Sequence, residues 1–177
     1  MHQLFFTLIQ GTIVGLNCFG AAATGDADRV KMSEGLKFAA AFLRSSAAAM
    51  KFACDFSPSD YDQTVRPDMA PPKVRAGFSG FQTRDHTYLV RLLDSLKPVF
   101  ASLTGLESEH HGLVEALASA YAAHEFICAR FCGDVLPSLR MAALSRGKSD
   151  RAGVEVIQEL MRNRLALVDP PRHDEAG

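Results

Sequence analysis

Residues 26–56 read DADRVKMSEGLKFAAAFLRSSAAAMKFACDF, and their apolar positions recur at steps of three and four. Met32, Leu36, Ala40, Leu43, Ala47, Met50 and Cys54 form one row, and Phe38, Phe42, Ala49, Phe52 and Phe56 widen it. Residues three and four apart share a helix face, so this is a helix with one buried stripe. Asp26 or Asp28 is placed to cap its start, the carboxylate accepting from the first unpaired amides. The centre, Phe38 to Phe52, lacks Gly and Pro and is rich in Ala, a strong helix former.

The same period governs most of the chain beyond Phe56. Leu89, Leu92, Leu93, Leu96 and Phe100 mark a helix over about Asp85–Leu103, in which Pro98 removes one backbone donor. Thr104-Gly105-Leu106-Glu107 has capping-box spacing for a helix running to about Cys132, with Leu113, Leu117, Ala120, His124, Ile127 and Phe131 inward. Pro137 suits the first turn of a shorter helix to about Leu144. A last helix begins near Ser149 or Asp150, buries Val154, Ile157, Leu160, Met161, Leu165 and Val168, and stops at Asp169-Pro170-Pro171. No stretch alternates with period two. The expected fold is all-α, an up-and-down bundle of four to five helices. Ser57–Thr83, with Pro58, Pro67, Pro71, Pro72, Gly77 and Gly80, reads as one long Pro/Gly-rich loop between the first two of them. Phe78 and Phe81 stand in it beside those glycines, either plugging the loop onto the bundle or forming a binding loop.

The amino terminus, MHQLFFTLIQGTIVGLNCFGAAA over residues 1–23, has no charge from Leu4 onward and closes on Ala21-Ala22-Ala23. That is the layout of a secretory signal peptide cleaved after Ala23, although no Lys or Arg precedes the apolar run. A membrane anchor, a lipoprotein signal at Cys18 and a buried helix of a cytosolic protein are the rival readings. The expected division is a signal peptide over 1–23, a helical domain over 24–169 and a disordered tail over 170–177. The expected location is periplasmic or extracellular, with no membrane span after cleavage.

Export would decide how the cysteines behave. Cys18 would leave with the signal, so Cys54, Cys128 and Cys132 remain. In an oxidising compartment Cys54 is expected to bridge to Cys132 or Cys128, because two parallel helices would end at one end of the bundle. The alternative is a metal site. His124, Cys128 and Cys132 fall at steps of four on one helix face and could hold copper or zinc. His124 could also serve as axial ligand to a non-covalent haem, since no Cys-x-x-Cys-His attachment site exists, with a Met such as Met50 opposite. Glu107-x-x-His110 resembles half of a di-metal motif, but no second copy exists. There His110 and His111 are expected to face solvent.

No nucleophile elbow, phosphate-binding loop, dinucleotide fingerprint or His-Glu-x-x-His is present. A net charge of −1 gives no basic footprint for nucleic acid. The sequence therefore predicts an exported, non-enzymatic helical protein that binds another protein or an envelope component. The alternative is a metal- or haem-binding bundle centred on His124, Cys128 and Cys132.

Overall fold

A computed structural model of the chain describes residues 2–68, 83–132 and 153–171, together with Lys73. Among these residues the protein is all-helical, with no strand. The long elements are α1 (His2–Thr24), α2 (Arg29–Ala53), α5 (Arg84–Ala101), α6 (Glu107–Cys132) and α7 (Gly153–Val168). Two single turns, α3 (Pro58–Asp60) and α4 (Arg66–Asp68), flank a π-helical turn over Tyr61–Val65.

The helix starts reflect local chemistry. Asp28 Oδ1 accepts from the amides of Val30 and Lys31 at 3.1 and 3.2 Å and caps α2. Thr83 caps α5 by accepting from His86 N at 3.3 Å. At α6, Glu107 Oε1 accepts from Gly105 N at 2.8 Å, so its carboxylate reaches back one residue later than the capping-box spacing predicts. Ser57 and Asp60 form a reciprocal capping box, with Asp60 N donating to Ser57 Oγ at 3.0 Å and Ser57 N to Asp60 Oδ2 at 3.2 Å. The first part of the expected loop is thus wound into helical turns, because Ser57, Pro58 and Asp60 nucleate them. Tyr61 fixes that segment to α6. Its ring stacks on Phe131 at 4.5 Å between centroids, and Phe56 stacks on the same ring at 5.0 Å. Phe78 and Phe81, the helix expected from Pro137 and the tail beyond Pro171 lie outside the described residues.

α1 packs on α2 and α5; α2 packs on α6; α7 closes the ring against α6 and α5. The side-chain contacts give the directions. Gly11 faces Phe42 and Gly15 faces Gly35 and Ala39, so α1 and α2 are antiparallel. Gln10 bonds Asp85 and Tyr88 bonds Asn17, so α1 and α5 are parallel. Ser33 bonds Glu109 at 2.8 Å while Lys51 and Cys54 lie beside Phe126 and Arg130, so α2 and α6 are parallel. His110 bonds Val168 and Gln158 bonds Glu125, so α6 and α7 are antiparallel.

The stretch with the composition of a signal peptide forms α1 (His2–Thr24), a helix of this core. Leu16 and Phe19 are fully buried, and Ile9 and Ala22 join the same cluster. The glycines that weaken the segment as a membrane span are its docking points. A Cβ on Gly15 would lie 2.7 Å from Ala39 N and 2.9 Å from Gly35 O; one on Gly35 would lie 2.8 Å from both Gly15 O and Phe19 N. Backbone meets backbone there, and nothing flexible can move aside. Phe19 in turn stacks on Phe100 of α5 at 5.4 Å, and Phe100 stacks on His110 of α6 at 5.3 Å. His110 is buried, contrary to expectation, because its ring completes this three-ring column. The carbonyl of Val168 can only accept, so His110 Nε2 carries the proton it donates at 2.6 Å to the end of α7. His111 does face solvent, against Glu115.

The expected disulfide is corrected. Cys54 and Cys128 are both buried and neither is bridged. Helices α2 and α6 do run parallel, but the two sulfurs sit on different sides of α6. Cys54 closes α2, its thiol donating to Lys51 O at 3.1 Å, and faces a groove lined by Ser119, Ala122, Phe126 and Arg130. Cys128 belongs instead to the core stripe with Leu117 and Tyr121, well round the helix from Phe126. Of Cys132, only its place as the last residue of α6 is described.

Two substitutions separate the roles of these glycines. Gly35→Val is expected to destabilise the fold by about 2 kcal/mol or more, since overpacking has no rotamer to absorb it. Gly112→Ala, where a Cβ meets nothing within 4 Å, is expected to stabilise it by about 0.5–1 kcal/mol through helix propensity. Urea titration of both variants checks the pair. Removing residues 1–23 takes Leu16 and Phe19 from the core, at roughly 1.5–3 kcal/mol each. Against a typical domain stability of about 5–15 kcal/mol, the shortened chain is expected to show no cooperative unfolding transition by circular dichroism.

Candidate active site

The chemistry-bearing side chains of the core gather on one stripe of α6. Leu117, Tyr121, His124 and Cys128 succeed one another at steps of four, three and four, so they form a single ladder. The stripe faces inward: Leu117, Tyr121 and Cys128 belong to the apolar core, and Ile157 of α7 belongs to it too. α7 supplies the polar groups opposite. Gln158 Nε2 donates to Glu125 Oε1 at 2.7 Å, and Arg164 lies beside the Tyr121 phenol.

Burial sets the protonation of these groups. His124 retains some solvent-exposed area, but the protein around it is dense, and desolvation lowers its pKa from the ordinary 6.5 to about 4. The imidazole is therefore neutral at physiological pH, with a proton on one of its two ring nitrogens only. Burial also pushes the Tyr121 phenol upward, opposed by the charge of Arg164 and its bond to the phenol. Tyr121 is accordingly a protonated phenol held against a guanidinium.

As a site for a bare metal ion the stripe is incomplete. Among the described residues, no group of three His, Cys, Asp or Glu side chains comes together as a ligand set. Of the three expected ligands, His124 and Cys128 share the stripe, and the Cys132 side chain lies outside the described residues. Met50 is half-buried on α2. Glu107 and Glu109 do not converge with His110. Glu107 caps α6, and Glu109 pairs with Ser33 and Lys37, whose hydrogen bonds, chiefly that from Ser33, hold its carboxyl below the usual range. The di-metal reading therefore has no counterpart here.

The family model described as "SfmD 3-methyl-L-tyrosine peroxygenase" matches residues 1–123, which is more than half of the chain. The chain belongs to that family. The match takes in α1, α2, α5 and most of α6, and stops one residue before His124. A curated relative, the 3-methyl-L-tyrosine peroxygenase of Streptomyces lavendulae, is 32% identical over 173 residues. That alignment covers 96% of this chain and 46% of the relative, so the chain spans a little under half of the relative's length. No solved structure matches.

Membership in a peroxygenase family overturns the expected non-enzymatic, disulfide-bonded binding protein. That expectation rested on the absence of hydrolase, kinase and nucleotide motifs. Oxygen-transfer chemistry carried by a cofactor needs none of those. Sequence reasoning singled out His124 and Cys128 but gave Tyr121 and Arg164 no role in a site. The inward spacing of Tyr121 with Leu117 and His124 was available in the sequence; the pairing with Arg164 required the α6–α7 register.

The lowered pKa of His124 fixes a pH signature. Between pH 4 and 6.5 the folded chain binds fewer protons at this residue than the unfolded chain does. Its contribution is therefore complete above pH 6.5 and is lost as pH falls toward 4, by roughly 3 kcal/mol at full extent. Denaturant titrations across that window are expected to show stability falling with pH, and His124→Gln is expected to flatten the slope. An equal slope in the variant would assign the effect to other groups.

Proposed function

We propose that this chain forms the helical, cofactor-holding part of a peroxygenase that oxygenates a tyrosine-type phenol, with His124 as the protein ligand to a haem. The relative's name supplies the reaction class and the substrate type. The position of a neutral imidazole in the middle of the buried stripe of α6 is the observation that carries the rest. Bare copper or zinc needs three or four protein donors, and the described residues assemble no such set. A haem would bring four nitrogens of its own and would need one further donor from the protein, which His124 on α6 could provide.

A haem held there would supply the redox centre for breaking the O–O bond of a peroxide and passing one oxygen to the phenol ring. The chain's own groups do the remaining work. His124 stays unprotonated at neutral pH because its surroundings disfavour the imidazolium, so no proton competes for its lone pair. Leu117 on the stripe and Ile157 of α7 are both buried in the core and give its surroundings apolar surface. Tyr121, one turn before His124, is held by Arg164 with its phenolic proton retained. Cys128, one turn after His124, presents a second soft donor to the same region. The five long helices, read as an up-and-down bundle, bring α6 and α7 together at this face, with α2 packed on α6 and α5 on α7.

Titration of the purified chain with haemin tests the reading. The wild-type protein is expected to develop a sharp absorbance band of histidine-ligated haem at one equivalent, and His124→Ala is expected to lose it. With hydrogen peroxide, the loaded protein is expected to hydroxylate 3-methyl-L-tyrosine, detected as a product heavier by one oxygen. Haemin binding that is unaltered in His124→Ala, or stoichiometric zinc or copper in the protein as purified, overturns the assignment.

A further inference from the structure

We infer that Arg164 is the carboxylate-recognition residue of the α6–α7 face. Its Nε is buried and has no hydrogen-bond partner among the described residues. A guanidinium N–H removed from water and left unpaired is costly, because the desolvation of a charged donor is not recovered. Such an orphan in a native structure calls for an explanation, and a bound group that completes it is one. The rest of the guanidinium is oriented: it lies against the Tyr121 phenol, one turn from His124 on the facing helix. The nearest carboxylate on that stretch of α6, Glu125, is engaged by Gln158. Nε–H and the neighbouring Nη–H form one planar fork, which matches the two oxygens of a carboxylate and matches few other groups as well.

A ligand carboxylate seated in that fork pairs the guanidinium charge and satisfies the orphaned Nε in one contact. Two molecules implied by the proposed function carry such a group: the amino-acid substrate, through its α-carboxylate, and a haem, through its propionates. The identity of the ligand rests on that proposal, whereas the unpartnered Nε beside Tyr121 does not.

Two ligand pairs that differ only at the carboxylate separate the sources. Calorimetric affinities are measured for L-tyrosine against tyramine, and spectrophotometric affinities for haemin against its dimethyl ester. The wild-type chain is expected to prefer the carboxylate member of at least one pair by tenfold or more. In Arg164→Met that preference is expected to fall below about twofold. Arg164→Lys, which keeps the cation and most of the stem, guards against a misfolded Met variant and is expected to lose most of the preference as well, because a point charge does not replace a fork. The pair that discriminates names the source. Equal wild-type affinity within both pairs, or a preference that survives in both variants, overturns the role of Arg164 and leaves the haem reading standing. A wild-type chain that binds none of the four molecules overturns both.

Discussion

The crossing of α1 over α2 is a contact of backbone on backbone, and the rest of the fold is arranged around it. With no side chain at Gly15 or Gly35, backbone atoms of each helix lie 2.7–2.9 Å from where a Cβ of the other would stand. That closeness brings Leu16 and Phe19 into the centre of the bundle. Phe19 then sets Phe100, Phe100 sets His110, and His110 holds the carboxyl end of α7. A chain of stacked rings and one hydrogen bond thus connects the amino-terminal helix to the last one. α6 and α7 meet as they do because both are anchored to that column.

Much of this is legible in the sequence, and the failures have physical causes. Period-three-and-four spacing places α2, α5, α6 and α7, since each buries one stripe against neighbours and little else competes. α1 is the ambiguous element, because a buried helix and an export signal share the same composition; both are uncharged and about 20 residues long. Gly11 and Gly15, four apart, are visible as a small-residue face, but such a face shows its purpose only when a partner glycine is known, and Gly35 lies on another helix. The place of His110 in the first turn of α6 points to solvent. A column of rings from two other helices overrides that local argument.

The candidate site is half visible. His124 and Cys128 stand out because a histidine and a cysteine on an apolar stripe break the pattern that packing alone would produce. An oxidising compartment, inferred from the leader, then favours a disulfide. Cys54 and Cys128 do occupy the same end of parallel helices, so the topological argument is sound. It fails on helix azimuth, since the groove beside Cys54 and the stripe containing Cys128 lie on different sides of α6. Arg164 cannot be found from spacing at all. What singles it out is an Nε with no hydrogen-bond partner among the described residues, and that is a property of three-dimensional surroundings.

Amide hydrogen exchange over residues 12–19 tests most directly whether α1 is the keystone of the fold. If it is, the amides from Thr12 to Phe19 exchange only through global unfolding, with protection equal to that of the central turns of α2 and α6. Exchange of those amides on the timescale of an exposed peptide, while α2 and α6 stay protected, would contradict the account.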